Sequence, residues 1–220
     1  DLSDEALVML SDILPTGYEI GVLKGKVEPG CSVAIIGSGP VGLAALLTAQ
    51  FYSPAKLIMV DLDDNRLETA LSFGATHKVN SSDPEKAIKE IYDLTDGRGV
   101  DVAIEAVGIP ATFDLCQKII GVDGTVANCG VHGKTVQFDL DTLWIRNINV
   151  TTGLVSTNTT PQLLKALESH KIEHFRDTKL DLITPNSIQG WRNGQNNIEG
   201  CDKGNLGHVT NRIVFHHFLL

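Results

Sequence analysis

The stretch Cys31-Ser32-Val33-Ala34-Ile35-Ile36-Gly37-Ser38-Gly39-Pro40-Val41-Gly42 runs from an apolar strand through a glycine turn into an Ala/Leu-rich helix. Its G-x-G-x-x-G core reads as a dinucleotide-binding βα turn. Gly37 permits the tight turn, Gly39 lets backbone N–H groups approach a pyrophosphate, and Gly42 lets the helix pack closely on the strand. Pro40 and Val41 open the helix, whose N-terminus offers the positive end of its dipole to phosphates.

Downstream, Lys56-Leu57-Ile58-Met59-Val60 makes a second strand of buried type that ends in Asp61, nineteen positions after Gly42. An acid at that strand end can accept both ribose hydroxyls and repels a 2′-phosphate, which predicts NAD rather than NADP. The alternative is that Asp61 caps the helix starting near Asn65. Arg66 is placed to reach the adenosine ribose or its phosphate, or else is a solvated surface arginine.

With 220 residues, 42% hydrophobic and 20% charged, the chain can bury one good core and part of another. A net charge of −9 argues against nucleic acid and anionic membranes as partners. No apolar run reaches the roughly 18 residues of a membrane span, and the acidic start Asp1-Leu2-Ser3-Asp4-Glu5 does not read as a signal peptide. The expected compartment is the cytoplasm. Cys31, Cys116, Cys129 and Cys201 show no C-x-x-C pair, and the first three sit in or beside apolar segments as small hydrophobes.

Residues 3–25 show the apolar spacing of helix, turn and helix, with the turn expected at Leu14-Pro15-Thr16-Gly17. Strands are expected at 32–37, 56–61, 77–80, 100–105, 125–128 and about 148–152, and helices at 40–51, 65–73, 84–95, 110–120 and 161–169, with a turn at Asp123-Gly124. Such alternation implies an α/β fold, a doubly wound parallel sheet of Rossmann type with right-handed crossovers and strand order 3-2-1-4-5-6.

From about Leu7 to Lys171 the chain resembles the cofactor-binding half of the zinc-dependent medium-chain alcohol dehydrogenases. The motifs that carry the resemblance, in order, are Leu10-Ser11-Asp12-Ile13-Leu14-Pro15-Thr16-Gly17-Tyr18, Gly37 to Gly42, Asp61 with Arg66, Phe73-Gly74-Ala75-Thr76, Gly97-Arg98-Gly99-Val100-Asp101, Glu105-Ala106-Val107-Gly108, and Gly124-Thr125-Val126 through Cys129-Gly130-Val131.

The resemblance implies NAD and zinc as cofactors, and an alcohol or polyol oxidised to an aldehyde or ketone by hydride transfer from a zinc-polarised alkoxide. It makes Asp12 the zinc ligand from this side, although alone that residue reads as a helix-surface aspartate. Thr16 becomes the threonine beside the nicotinamide, its plainer role being a turn residue. Val107, Gly130, Val131 and Leu154 become contacts to the nicotinamide riboside and carboxamide. Glu105 reads as a strand-end acid facing solvent, and His132 as either a proton relay or an ordinary loop histidine.

The resemblance also implies a catalytic domain ahead of residue 1, carrying a Cys and a His-Glu pair as further zinc ligands, and a homo-oligomer for the full-length protein. Residues 1–26 are then connecting helices left from that domain, 27–170 the NAD-binding domain, and 171–220 an atypical tail. The Gly/Asn-rich run Gly190-Trp191-Arg192-Asn193-Gly194-Gln195-Asn196-Asn197 has no helical or strand period, and a frameshifted or mispredicted end is the expected cause. Three functions compete: the dehydrogenase, with the isolated chain inactive; a module that binds NAD(H) without catalysis; and an S-adenosylmethionine methyltransferase. The last commonly has a tighter G-x-G-x-G turn without the Pro40-Val41-Gly42 start.

Overall fold

The computed structural model describes residues 9–169. Six parallel strands, β1 Ser32–Ile36, β2 Lys56–Asp61, β3 His77–Asn80, β4 Val100–Glu105, β5 Ile120–Asn128 and β6 Asn149–Thr152, form one sheet in the order β3-β2-β1-β4-β5-β6. The expected strand order is the observed one. The connecting helices are α2 Pro40–Ala49, α3 Asp64–Ser72, α4 Pro84–Leu94 and α5 Pro110–Ile119; a short α6 Leu140–Leu143 precedes β6, and α7 Thr160–Glu168 follows it. The expected tail, 171–220, lies outside the described residues.

The inner strands β1, β2 and β4 are predominantly apolar and buried because both faces of the sheet are covered there. Side chains alternate across a strand, so Val33 and Ile35 of β1 join Leu43, Leu46 and Leu47 of α2 on one face. Ala34 and Ile36 join Ile91 of α4 and Phe113 and Ile119 of α5 on the other. Each fully buried Ile contributes on the order of 1.5–3 kcal/mol. Helix starts are set locally: Asp63 accepts from the Asn65 N–H at 2.8 Å, and Asp83 accepts from the Lys86 N–H at 3.2 Å with Pro84 behind it.

The expected turn at Leu14-Pro15-Thr16-Gly17 does not form. An α-helix, α1 Ile13–Thr16, continues without a break into wider i→i+5 turns over Gly17–Leu23, and Gly17 is helical at φ −58°, ψ −40°. Pro15 lies in the first turn, where no intrahelical partner awaits its missing N–H. Gly17 is there for packing: a Cβ would come within 2.6 Å of the Ala45 nitrogen in α2.

Asp123-Gly124 is likewise no turn between helix and strand. It lies inside β5, where Val100 pairs with Ile120 but Val102 pairs with Thr125, and Asp123 takes φ +60°. The extra residues form an irregular bulge that leaves the carboxyl half of the strand in register.

Candidate functional site

At the carboxyl end of β1, Gly37 turns the chain with φ +104°, a region open to few residues but glycine. Its N–H donates to the Val60 carbonyl at 2.8 Å, tying the turn to β2. A Cβ on Gly42 would fall on the Gly37 carbonyl oxygen, whereas a Cβ on Gly39 would meet nothing within 4 Å. Gly42 is therefore a packing glycine, and Gly39 faces open space at the N-terminus of α2. There Val41 and Gly42 supply first-turn N–H groups, and Pro40 at the first position has none to offer.

Asp61 stands at the end of β2 beside this turn. Its Oδ2 accepts from the Ser38 N–H at 2.7 Å, and its Oδ1 accepts from the Asp63 N–H at 3.0 Å. Asp63, not Asp61, caps α3. A carboxylate has about four lone-pair sites, so each Asp61 oxygen keeps capacity for a further donor. Arg66 lies exposed on the first turns of α3.

The second half of the site is built around Glu105, which is 0% exposed and thus no solvent-facing acid. Its Oε1 accepts from the N–H groups of Val107 at 3.0 Å and Gly108 at 2.9 Å, and from Thr112 Oγ1 at 2.7 Å. Its Oε2 lies 3.4 Å from His132 Nε2. His132 Nε2 is also 2.8 Å from Asn128 Oδ1, while Asn128 Nδ2 donates to the Gly130 carbonyl at 2.8 Å. That last bond orients the amide, so Nε2 faces two acceptors and is assigned the proton. His132 is thereby engaged with the loop on which it sits.

The loops after β4 and β5 interlock. A Cβ on Gly108, at φ +89°, would come within 2.5 Å of the Val131 carbonyl oxygen, and one on Gly130 would strike Glu105 Oε2 and the Gly108 nitrogen. The interlock leaves Val107 and Val131 exposed as apolar walls at the carboxyl edge. Cys129 packs behind them; its thiol is pushed up to about 12 by burial and then by the charge of Glu105.

Helix α1 reaches the same edge. Gly25 sits against Val102 and Ala127, and Gly21 against Ile104 and Cys129, so moving toward Thr16 and Asp12 follows β4 and β5 to their carboxyl ends. Thr16 Oγ1 donates to Asp12 Oδ1 at 3.1 Å, and both residues are half-buried. No group of three or more His, Cys, Asp or Glu side chains that could hold a metal occurs among the described residues. Leu154, just past β6, is 76% exposed.

Two buried acids escaped the sequence reading of the site. Glu105 was signalled by its place at the end of β4, three before Gly108, but its inward direction was not. Glu19, held by Ser156 and Thr159, has partners 137 and 140 residues away.

A glycine turn under an acid, at the switch point of a parallel sheet, is where open α/β sheets place their ligands. Comparison with known proteins narrows the class. Residues 40–169 match the family model described as zinc-binding dehydrogenase. The chain is 32% identical over 198 residues to zinc-type alcohol dehydrogenase B of Aspergillus flavus, covering 86% of this chain and 46% of that protein. It is 40% identical over 120 residues to sorbitol dehydrogenase of Bacillus subtilis, covering 53% and 34%. Among solved structures, zinc dependent alcohol dehydrogenase 2 from Streptococcus pneumonia matches at 95% identity and TM-score 0.77, over 80% of this chain and 50% of that one. Alcohol dehydrogenase TADH from Thermus sp. ATN1 matches at 33% identity and TM-score 0.72, over 77% and 49%.

The chain belongs to the zinc-binding dehydrogenase family and comprises its cofactor-binding half. It spans half or less of the length of these relatives. No described helix is long and apolar enough to cross a membrane.

Proposed function

We propose that this chain is the NAD-binding half of an NAD- and zinc-dependent alcohol or polyol dehydrogenase. The observation that carries the reading is the open space over Gly39 at the N-terminus of α2, with Asp61 beside it. That space admits a pyrophosphate to the backbone of Gly39, Val41 and Gly42, and Asp61 retains acceptor capacity for the adenosine ribose. Arg66 flanks the adenosine end. Val107, Gly130, Val131 and Leu154 take the nicotinamide end, with Thr16 on the substrate side. Bound nicotinamide supplies a hydride acceptor at C4. What the protein supplies is orientation, through the interlocked loops, and a dry apolar wall on one side of the ring.

The zinc requirement fits less well. Asp12 is the one ligand proposed from this chain, and a single carboxylate does not make a tetrahedral site of three or four protein ligands. The purified 220-residue chain should therefore bind NADH weakly, contain far less than one zinc per chain, and oxidise no alcohol above background. Elemental analysis and NADH formation with primary, secondary and polyhydric alcohols check this. Zinc-dependent turnover by this chain would show that the catalytic site has been misplaced, and binding without turnover would equally suit a module that only holds NAD(H).

Cofactor preference is the direct test of Asp61. Asp61→Ser should weaken NAD and relatively favour NADP by about 1–3 kcal/mol, the range for a hydrogen bond to a charged group. Equal affinity of the unmodified chain for the two nucleotides would overturn the assignment. A cytoplasmic small-molecule enzyme, without nucleic-acid or membrane partners, fits the net charge of −9. A homo-oligomer is proposed for the full-length protein, and the exposed apolar side chains of Leu140, Trp144 and Ile145, just before β6, and of Val150 on it would suit it.

A further inference from the structure

The segment between β6 and α7 is held at both ends by Glu19, in the wide helical turn that follows α1, and by Lys24, just past it. Lys24 Nζ donates to the Thr152 carbonyl at 2.9 Å, and Thr151 Oγ1 donates to the Lys24 carbonyl at 3.3 Å. Five residues earlier, Glu19 takes the other end. Its Oε2 accepts from the N–H of Ser156 at 2.7 Å and from Ser156 Oγ at 3.0 Å. Its Oε1 accepts from the N–H of Thr159 at 3.2 Å and from Thr159 Oγ1 at 2.8 Å. Between these anchors Thr157 sits at φ +59°, a strained conformation for a β-branched residue that persists only where its surroundings impose it. Glu19 is 8% exposed, and its carboxyl lies below the usual glutamate range because these four bonds outweigh the opposing effect of burial.

Leu154 lies between the two anchors with its side chain free. A lone leucine on an untethered loop would lose several residues' worth of backbone freedom on closing over a ligand. Here that ordering is already done before any ligand arrives. We propose that Glu19 and Lys24 are positioning residues that pin the 152–159 segment so that Leu154 is preset over the nicotinamide end of the cleft. The proposal rests on the NAD reading above for its ligand, but not for the clamp itself.

The test uses the full chain and two readouts. Amide hydrogen exchange without nucleotide should show Ser156 and Thr159 protected, and Glu19→Ala should abolish that protection while leaving the sheet amides slow. In NADH fluorescence titrations Glu19→Ala and Leu154→Ala should each weaken binding by about tenfold, and the double variant should be no weaker than either single one. Glu19→Gln keeps the side-chain volume and one acceptor oxygen, so it carries the same test at a smaller loss, about threefold, if Glu19→Ala does not fold. Additive losses in the double variant, or unchanged exchange at Ser156 and Thr159, would overturn the proposal. An unmodified chain that binds no NADH would overturn the cofactor assignment and with it the ligand named here, while the exchange readout still decides the clamp.

Discussion

Gly42→Ala should lower the thermal midpoint sharply, and Gly39→Ala should leave it almost unchanged while cutting NADH affinity. The two glycines differ by three positions and by what stands over them. At Gly42 a methyl group would fall on the Gly37 carbonyl oxygen, a backbone atom that cannot rotate away, so α2 must move off β1. Forcing atoms into a packed interior costs about 1–3 kcal/mol and more where backbone has to shift. At the upper end of that range the midpoint falls by roughly 6–12 °C for a domain of this size. At Gly39 the backbone is φ −79°, accessible to alanine, and the methyl group would enter open space. That space is where the pyrophosphate is proposed to lie, and the expected loss of NADH affinity is on the order of tenfold or more, about 1.4 kcal/mol or above. Differential scanning calorimetry and fluorescence titration on both variants separate the effects. Gly39→Ala with undiminished NADH affinity would place the phosphates elsewhere.

Replacing Glu105 should produce the other large effect. In Glu105→Ala, the N–H groups of Val107 and Gly108 and the hydroxyl of Thr112 lose their acceptor, and His132 loses a neighbouring carboxylate oxygen 3.4 Å away. The buried Gly108 N–H costs about 1–3 kcal/mol when orphaned and the part-buried Val107 and Thr112 donors less each, so a loss of about 3 kcal/mol is expected. Glu105→Gln fills the same space and keeps one oxygen, yet in one amide orientation it turns an NH2 toward His132 Nε2–H, and in the other toward the three loop donors. An intermediate loss follows. Urea unfolding of the three proteins should rank them wild type, Gln, Ala, with an unchanged m-value. An alanine variant as stable as the wild type would mean that water replaces the carboxylate, and that the two loops are held by Gly108 and Gly130 alone.

The parts of this protein that can be read from consecutive residues are those whose physics is local. A glycine turn between an apolar strand and an Ala/Leu helix, an acid at the end of the next strand, and the alternation of strands and helices are written in consecutive residues. Together they led to six parallel strands in the order found. Pro15 and Gly17 show the limit of local rules. They spell a turn in any short window, but a proline in a first helical turn loses nothing, and the glycine answers to α2, whose Ala44 and Ala45 lie close against it. Asp61 and Asp63 are two residues apart; Asp63 stands directly before α3 and caps it, while Asp61 accepts from the Ser38 N–H of the glycine turn after β1. Glu105 looked like any acid at a strand end until folding brought the loops after β4 and β5 together around it. Glu19 carried no signal at all, since its hydrogen-bond donors lie 137 and 140 residues on. Tertiary structure decided these cases because a buried carboxylate is tolerated only where several donors converge on it, and that convergence exists in space and not along the chain.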